Sequence, residues 1–314
     1  MSFSGNVKEE LVRQTAKSRH CQIAELAAVV EFLGKICVDD GEERIVLTTE
    51  NTGVARKFIT LIKQLFSYEV QLKVITGSQV KSRSYRVTIE GKERTQMVLK
   101  AIKKLDDKGQ MRNTSQLVEG LLVQQTCCKR AFIRGAFLAA GSMSNPERAY
   151  HLEIVVATRQ KAQQLMELIN GFEMDAKIVQ RKNHYVVYLK EGAQIVDLLN
   201  VMEAHKALMD LENVRIVKNM RNNVNRQVNC ETANINKTVN AALRQLEDIK
   251  YVEEQIGLSA LPKNLQEIAQ LRLEHPQSSL LELGQMLNPP VGKSGVNHRL
   301  RKISEMAQNL RGDN

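Results

Sequence analysis

Residues 128–141 read CKRAFIRGAFLAAG: a cysteine, then an apolar helix rich in small residues, then a glycine that ends it. Residues 21–36, CQIAELAAVVEFLGKI, follow the same plan, with alanines along the helix and a glycine at residue 34. The two stretches match at an offset of 107 residues. Because similarity at a fixed offset is the signature of a repeated structural unit, we predict that the chain folds one unit twice.

The segments that follow each helix also match in order. They are a β-rich run, a helix with apolar residues at helical spacing, two strands, and a Glu-Gly pair that begins a last helix. The predicted fold class is therefore α+β, with halves at about 21–105 and 127–205. The matched segments are 44–49 with 151–157, 51–66 with 158–169, 70–75 with 176–179, and 85–89 with 185–189.

Composition and charge limit the function classes. The chain has 314 residues, 43% of them hydrophobic, which excludes a wholly disordered or collagen-like chain. Lys and Arg number 45 against 35 Asp and Glu, so the formal net charge is +10 and favours a polyanionic partner, either nucleic acid or an anionic membrane face. The most apolar run, residues 131–144, contains Arg134 and is shorter than the roughly 20 residues that span a bilayer, so no membrane span is predicted.

The cysteines and the N-terminus indicate the compartment. The N-terminus has early acidic residues and no apolar h-region, so no signal peptide is predicted. Five cysteines, an odd number, favour the reducing cytosol, and the expected localisation is cytoplasmic. Cys127 and Cys128 are adjacent and no CxxC pair occurs. We therefore predict no metal site and expect buried or half-buried thiols.

Residues 211–257 form a mostly helical region that is dense in asparagine, as in RNNVNRQVNCETANINKT from residue 221. Asparagine is a poor helix former because its side chain competes for backbone hydrogen bonds. One interpretation is that the region makes polar contacts that need asparagine. The other is that the region is an irregular, capped connector.

The C-terminal residues 258–314 predict a helix-turn-helix unit. One helix follows Pro262, a second follows Ser279 as its N-cap, and a third runs from about Ser294, with a turn at 288–292 before it. On a wheel of the third helix, one apolar face is expected to pack on the core of the unit. That face consists of Val296, Leu300, Ile303, Ala307 and Leu310.

The opposite face of the third helix carries residue types that read DNA. Asn can pair bidentately with adenine and Arg with guanine when a helix enters the major groove. The alternative is a three-helix capping module with a solvated basic face. The candidate DNA-binding residues are Lys293, Ser294, Asn297, His298, Arg299, Arg301 and Lys302.

A second basic signal comes from the strands of the duplicated region. Both halves carry cations near the second strand pair, so two similar sheets could form one curved platform that binds a duplex without choosing sequence. Ordinary solvated strands with lysines protecting their edges are the alternative. The candidate non-specific contacts, including two on the asparagine-rich helix, are Lys81, Arg83, Arg86, Arg181, Lys182, Arg221 and Arg226.

The duplicated helices resemble the paired helices of LAGLIDADG homing endonucleases. In that family the acid just before the final glycine of each helix binds catalytic Mg²⁺. Here Leu33 and Ala140 stand at those positions. Glu31 is nearby in the first helix, but Leu138 stands at the matching position of the second. No catalytic residue is therefore expected, because no oxygen cage remains for a hard cation.

The whole chain resembles the bacterial WhiA family. The resemblance implies a degenerate, duplicated LAGLIDADG-like α/β saddle joined to an all-α helix-turn-helix domain. It also implies a DNA-binding regulator of transcription involved in cell division, chromosome segregation and, in spore formers, sporulation. The stretches that carry it are RGAFLAAGSMSNP (134–146), YHLEI (150–154), RNNVNRQVNCETANINKT (221–238) and SGVNHRLRKI (294–303).

The residue patterns and the family resemblance together give the expected partners and domain organisation. The partner is double-stranded DNA on the nucleoid, with a protein partner possible through the duplicated domain, and no cofactor, membrane or small-molecule substrate. The alternatives are an interaction scaffold tethered to DNA by its helix-turn-helix and an active homing-type endonuclease. The expected domains are an N-terminal helix at 1–20, the duplicated domain at 21–210, the connector at 211–257 and the helix-turn-helix at 258–314.

Overall fold

The computed structural model describes residues 2–39, 42–76, 83–106, 108–112 and 115–312. The chain divides into two compact units, residues 1–218 and 219–314. Each unit has its own cluster of buried apolar side chains. Within the described ranges, no helix is both long and apolar enough to cross a membrane.

The first unit contains the repeat. An N-terminal helix precedes its first half, whose four strands form one antiparallel sheet in the order β1-β2-β4-β3. The elements are α1 (Phe3–Arg13), α2 (Arg19–Leu33), β1 (Gly34–Asp39), β2 (Glu42–Thr49), α3 (Thr52–Phe66), β3 (Gln71–Thr76), β4 (Arg83–Ile89) and α4 (Lys92–Ala101).

The second half has the same elements and the same topology. Its strands form an antiparallel sheet in the order β5-β6-β8-β7, so the predicted duplication and the α+β class are confirmed. Its elements are α5 (Thr126–Ala140), β5 (Gly141–Met143), β6 (Leu152–Val156), α6 (Arg159–Asn170), β7 (Lys177–Arg181), β8 (His184–Leu189) and α7 (Gly192–Met202).

Each half contains one strand that the sequence pattern did not predict. Strands β1 and β5 begin at the glycine that ends the preceding helix, with no loop between. In β1, Ile36 and Val38 are exposed, because the strand lies at the sheet edge, and β5 is only three residues long. β1 therefore lacks the alternation of a half-buried strand, and β5 alternates over too few residues for periodicity to detect it.

Helices α2 and α5 pack closely against each other at the centre of the first unit. Gly135 shows how close they are: a Cβ there would lie 2.7 Å from the carbonyl oxygen of Glu25 and 2.9 Å from the Cβ of Ala28. Small residues at the crossing are therefore required for the two backbones to approach. At the end of α5, a Cβ on Gly141 would lie 2.3 Å from the ring of Phe137, so glycine is required there as well.

A cluster of charged side chains is buried where α2, α3 and α5 meet. Glu25 is fully buried and accepts two hydrogen bonds of 3.3 Å from the guanidinium of Arg134, while the Lys57 ammonium lies 3.3 Å from the same carboxylate. Arg134 also donates to Glu203 at 2.6 Å. Desolvation works to lower the pKa of Arg134, but the two carboxylates hold it above its ordinary value. Arg134 therefore stays protonated, and its hydrogen bonds to Glu25 join the two halves of the repeat.

The asparagine-rich region lies in one helix, α8 (His205–Ile256), which is 52 residues long. The boundary between the two units falls inside this helix, between Lys218 and Asn219. Every residue from 219 to 241 is exposed. The interpretation of the region as an irregular connector is wrong, because the asparagines do not interrupt the helix.

The second unit ends in three helices packed on the last turns of α8. These are α9 (Lys263–Glu274), α10 (Leu280–Met286) and α11 (Lys293–Arg311). Ser279 and Glu282 form a capping box at the start of α10, which fixes where that helix begins. The buried residues of the unit are Ile249, Val252, Leu261, Leu265, Ile268, Ala269, Leu283, Leu287, Val296, Leu300, Ile303 and Ala307.

Candidate nucleic-acid interface

The orientation of α11 is fixed by its apolar stripe. Val296, Leu300, Ile303 and Ala307 are buried at 0–1% exposure. Leu310, which the wheel placed on the same face, is 40% exposed, so that part of the prediction is wrong. The last turn of α11 extends past the small core that the other four residues fill.

The polar face of α11 points to solvent. Six of the seven candidate residues are exposed: Lys293, Ser294, Asn297, His298, Arg301 and Lys302. The seventh, Arg299, is half-buried, and its guanidinium donates to the carbonyl oxygen of Asn264 at 3.4 Å. Arg299 therefore lies against α9 and does not share the outward face of the other six.

Arg301 has one partner on its own helix. Its Nε lies 3.0 Å from a carboxylate oxygen of Glu305, and the two side chains are 76% and 56% exposed. An exposed pair of this kind contributes about 0–1 kcal/mol. The guanidinium can therefore exchange Glu305 for a base edge or a phosphate at little cost.

The turn before α11 is held by a glycine. The Val291 amide donates to the carbonyl oxygen of Gly284 at 2.9 Å, and a Cβ on Gly284 would lie 2.0 Å from the Val291 carbonyl oxygen. Gly284 thus lets α10 touch the turn and sets where α11 starts. Gly292 is the N-cap and provides no side-chain cap, so first-turn amides remain available to an anion.

A groove of about 630 Å³ lies beside the start of α11. Lys293 and Asn297 line it on one side, and Lys237 of α8 lines it on another. Lys237 is a cation that the sequence reasoning missed. No local pattern could reveal it, because only the packing of α8 within this unit brings it beside residues more than 50 positions away.

The first sheet carries adjacent cations on the face away from the helices. Lys73 pairs with Arg86 across β3 and β4, and Arg86 pairs with Thr48 across β4 and β2. Arg83 lies at the opposite parity, on the side of Tyr85 and Val87, so it does not belong to that face. Lys81 lies outside the described residues.

The second sheet does not repeat this charge pattern. The guanidinium of Arg181 lies 2.8 Å from the Glu153 carboxylate, and the ring of His151 lies 2.9 Å from it. Desolvation works to raise the pKa of Glu153, but His151 and Arg181 hold it below its ordinary value. Arg181 is therefore paired with an acid that β6 brings beside it, whereas Lys73 and Arg86 each lie next to another cation.

The other candidate cations are exposed but scattered. Lys182 lies in the two-residue turn between β7 and β8, with a φ of 51°. Arg221 and Arg226 are exposed on α8. They are five residues apart, so about 140° separates them around the helix and they cannot contact one flat surface together.

The ends of α2 and α5 do not fit the Mg²⁺ of the nuclease scaffold. Leu33 and Ala140 are half-buried there, and Ala140 lines a cavity of about 270 Å³. Among the described residues that line this cavity, the carboxylate belongs to Glu31. The Lys161 ammonium lies 2.6 Å from it, and the Lys104 ammonium also pairs with it. A carboxylate shared by two ammonium groups is a poor ligand for a hard cation, which needs several oxygens.

Three family models match the chain in sequence order. Residues 19–103 match the WhiA N-terminal LAGLIDADG-like domain, residues 129–221 match the WhiA LAGLIDADG-like domain, and residues 224–307 match the WhiA C-terminal HTH domain. The chain belongs to the WhiA family.

Named relatives agree with this assignment over the full length. The chain is 52% identical to the probable cell division protein WhiA of Lachnoclostridium phytofermentans, covering 99% of this chain and 100% of that one. It is 50% identical to the protein of the same name from Alkaliphilus oremlandii, with 99% and 98% coverage. The crystal structure of full-length DUF199/WhiA from Thermatoga maritima matches with a TM-score of 0.61 and 28% identity, covering 98% and 99% of the two chains.

Proposed function

We propose that this WhiA-family chain is a non-enzymatic DNA-binding regulator of transcription that acts in cell division, and in sporulation where the host forms spores. The observation that carries the proposal is α11: its apolar stripe is buried, so Asn297, His298 and Arg301 face outward together. These side chains offer amide and guanidinium groups that can make bidentate bonds to base edges. The curated relatives are named as probable cell division proteins.

The absence of nuclease activity is part of the same proposal. A hydrolytic metal needs carboxylates at the ends of α2 and α5, where Leu33 and Ala140 stand. The one nearby carboxylate considered above, Glu31, is neutralised by Lys161 and Lys104. The paired helices then serve as a structural support for the two sheets.

A second candidate function is a protein-interaction scaffold that the helix-turn-helix tethers to DNA. Arg181, one of the cations expected to contact phosphate, is occupied by Glu153. Val179 lies on the same face of the second sheet as Arg181 and is 38% exposed. A surface with paired charges and an exposed apolar side chain fits a protein partner better than a phosphate backbone does.

Site selection with the full-length chain tests the recognition role of α11. Preferred sites are selected from a random DNA pool, and affinity is then measured for the best site and for random DNA at fixed salt. Asn297→Ala and Arg301→Ala should each weaken the preferred site by about 1–3 kcal/mol, roughly 5- to 150-fold, with little change on random DNA. Cellular imaging of a fluorescent fusion should place the protein in the cytoplasm, on the nucleoid.

Arg13→Ala is the matched control for Arg301→Ala. Both arginines are 76% exposed and both pair with a glutamate one turn away, but Arg13 lies on α1. The control should bind like the unsubstituted chain. If Asn297→Ala and Arg301→Ala keep the site preference and the fold, the recognition role of α11 is wrong and its polar face is only solvated surface.

A further inference from the structure

Four metal-ligating side chains meet at the N-terminal ends of the central helix pair. His20 and Cys21 come from α2, and Cys127 and Cys128 come from α5. The Sγ atoms and a ring nitrogen all lie within 4.8 Å of one another. Among the described residues, one group of three or more His, Cys, Asp or Glu side chains is close enough together to hold a metal ion, and it is this one.

The cluster follows the symmetry of the repeat. Ser18 and Gln125 are the N-caps of α2 and α5, so each helix presents the second and third residues of its first turn. At the offset of 107 residues that relates the two halves, His20 is equivalent to Cys127 and Cys21 is equivalent to Cys128. Each half thus contributes one exposed and one buried ligand at equivalent positions, as the symmetry of the repeat requires.

The contacts inside the cluster are already short. The His20 Nδ1 atom lies 3.1 Å from the Cys128 Sγ and 3.3 Å from the Cys21 Sγ. The His20 ring therefore already contacts one thiol from each half of the repeat.

We propose that His20, Cys21, Cys127 and Cys128 bind one zinc ion in a tetrahedral Cys₃His structural site. A Zn–S bond is about 2.3 Å, so sulfur ligands of a tetrahedron lie about 3.8 Å apart. The widest separation here, 4.8 Å, closes to that value if the side chains shift by about 1 Å. Three sulfurs and one imidazole are a ligand set that favours zinc over Mg²⁺ or Ca²⁺.

The charges around the cluster also suit this ion. Three thiolates and Zn²⁺ leave a net charge of −1. The N-terminus of each helix contributes roughly half a positive charge, and two helices begin here, so the complex is compensated without a basic side chain. Arg19 and Arg130 are engaged elsewhere, donating to the backbone carbonyls of Leu65 and Val201 at 2.8 Å and 3.1 Å.

The location assigns the ion a structural role. The cluster lies at the ends of α2 and α5 opposite to the lost nuclease acids, about 18 Å away along each helix. Zinc bound there would tie the first half of the repeat to the second at the point where both central helices begin. It would therefore act on stability and not on phosphodiester chemistry.

Metal analysis of the full-length chain, purified with a tag that lacks histidine, tests the proposal. Mass spectrometry of the elements should find one zinc per chain. Reconstitution of the metal-free protein with Co²⁺ alone should give the thiolate-to-cobalt charge-transfer absorption of a tetrahedral site. Cys127→Ser and His20→Ala should each lower the bound zinc at least several-fold. Chelation should lower the melting temperature of the unsubstituted chain but not that of these two variants.

Cys230→Ser and Cys37→Ser are the matched controls, because neither cysteine belongs to the cluster. Both should keep one zinc per chain. His20 and Cys127 are exposed, so their variants should fold, and unchanged circular dichroism would verify this. The proposal is overturned if the protein holds and takes up no zinc, if the controls lose zinc as the cluster variants do, or if thiol counting under denaturing conditions finds a disulfide in the cluster.

Discussion

Replacing Arg134 by methionine tests how the two halves of the repeat are joined. The Arg134→Met variant keeps an unbranched apolar side chain of similar length but removes the guanidinium from Glu25, which is fully buried. The Lys57 ammonium remains 3.3 Å from that carboxylate. Glu203 is 42% exposed and can turn to water when its partner is lost.

The expected loss follows from these contacts. Removing one partner of a buried ion pair costs about 3–5 kcal/mol, because it leaves a buried charge uncompensated. Lys57 still compensates part of the charge on Glu25, so we expect the lower end, about 3 kcal/mol. For a unit of about 200 residues each kcal/mol shifts the melting temperature by roughly 2–4 °C, which gives a decrease of about 6–12 °C.

Scanning calorimetry of the full-length chain measures this loss. The triple variant Glu25→Leu, Lys57→Met, Arg134→Met removes every charge at the centre of the cluster and should return near the original melting temperature, because apolar replacements of buried ion pairs are often neutral. Arg13→Met breaks an exposed pair and should shift it by less than about 2 °C. If Arg134→Met also melts within about 2 °C of the unsubstituted chain, the cluster does not stabilise the helix pair.

Three further outcomes are expected. Leu300→Ala should destabilise the second unit by about 2–5 kcal/mol by opening a cavity in its small core, measured as a lower melting temperature of that unit; an unchanged transition would contradict the buried stripe of α11. The double variant Lys73→Ala, Arg86→Ala should make DNA affinity less dependent on salt, lowering the slope of log affinity against log salt by roughly 0.9 per lost phosphate contact. Arg181→Ala should lower that slope less, because Glu153 already pairs with this arginine. An unchanged slope in the double variant would favour the protein-partner function. Purified protein should not nick supercoiled DNA with Mg²⁺ or Mn²⁺; nicking that co-purifies with the chain and is lost in helix-pair variants would contradict the structural role of that pair.

The sequence was sufficient for features that depend on local chemistry. The glycines at 34 and 141 end the central helices, and the alternation in β4 and β8 identified two strands whose apolar residues face the helices. The family and the α+β class also followed from the sequence. The edge strands β1 and β5 were missed because they are short or exposed on both faces.

Features that depend on tertiary pairing could not be predicted. Glu153 meets Arg181 only because β6 and β7 both flank β8, and nothing near Arg181 in sequence indicates an acid. The cluster at Cys128 was dismissed because no CxxC pair occurs, although its partners at His20 and Cys21 lie on the other half of the repeat. The repeat offset would have indicated the cluster, because it relates His20 and Cys21 to Cys127 and Cys128 on two helices that pack against each other.

The exposed stretch of α8 has a consequence for local stability. Its ends are held by buried residues such as Leu211 and Ile249, whereas residues 219–241 are exposed on every side and include eight asparagines. Asparagine is up to about 0.7 kcal/mol less favourable in a helix than alanine, so the eight together cost roughly 5 kcal/mol. This stretch therefore follows helix–coil statistics between two anchored ends, and its amide hydrogens should exchange through local opening long before either core unfolds.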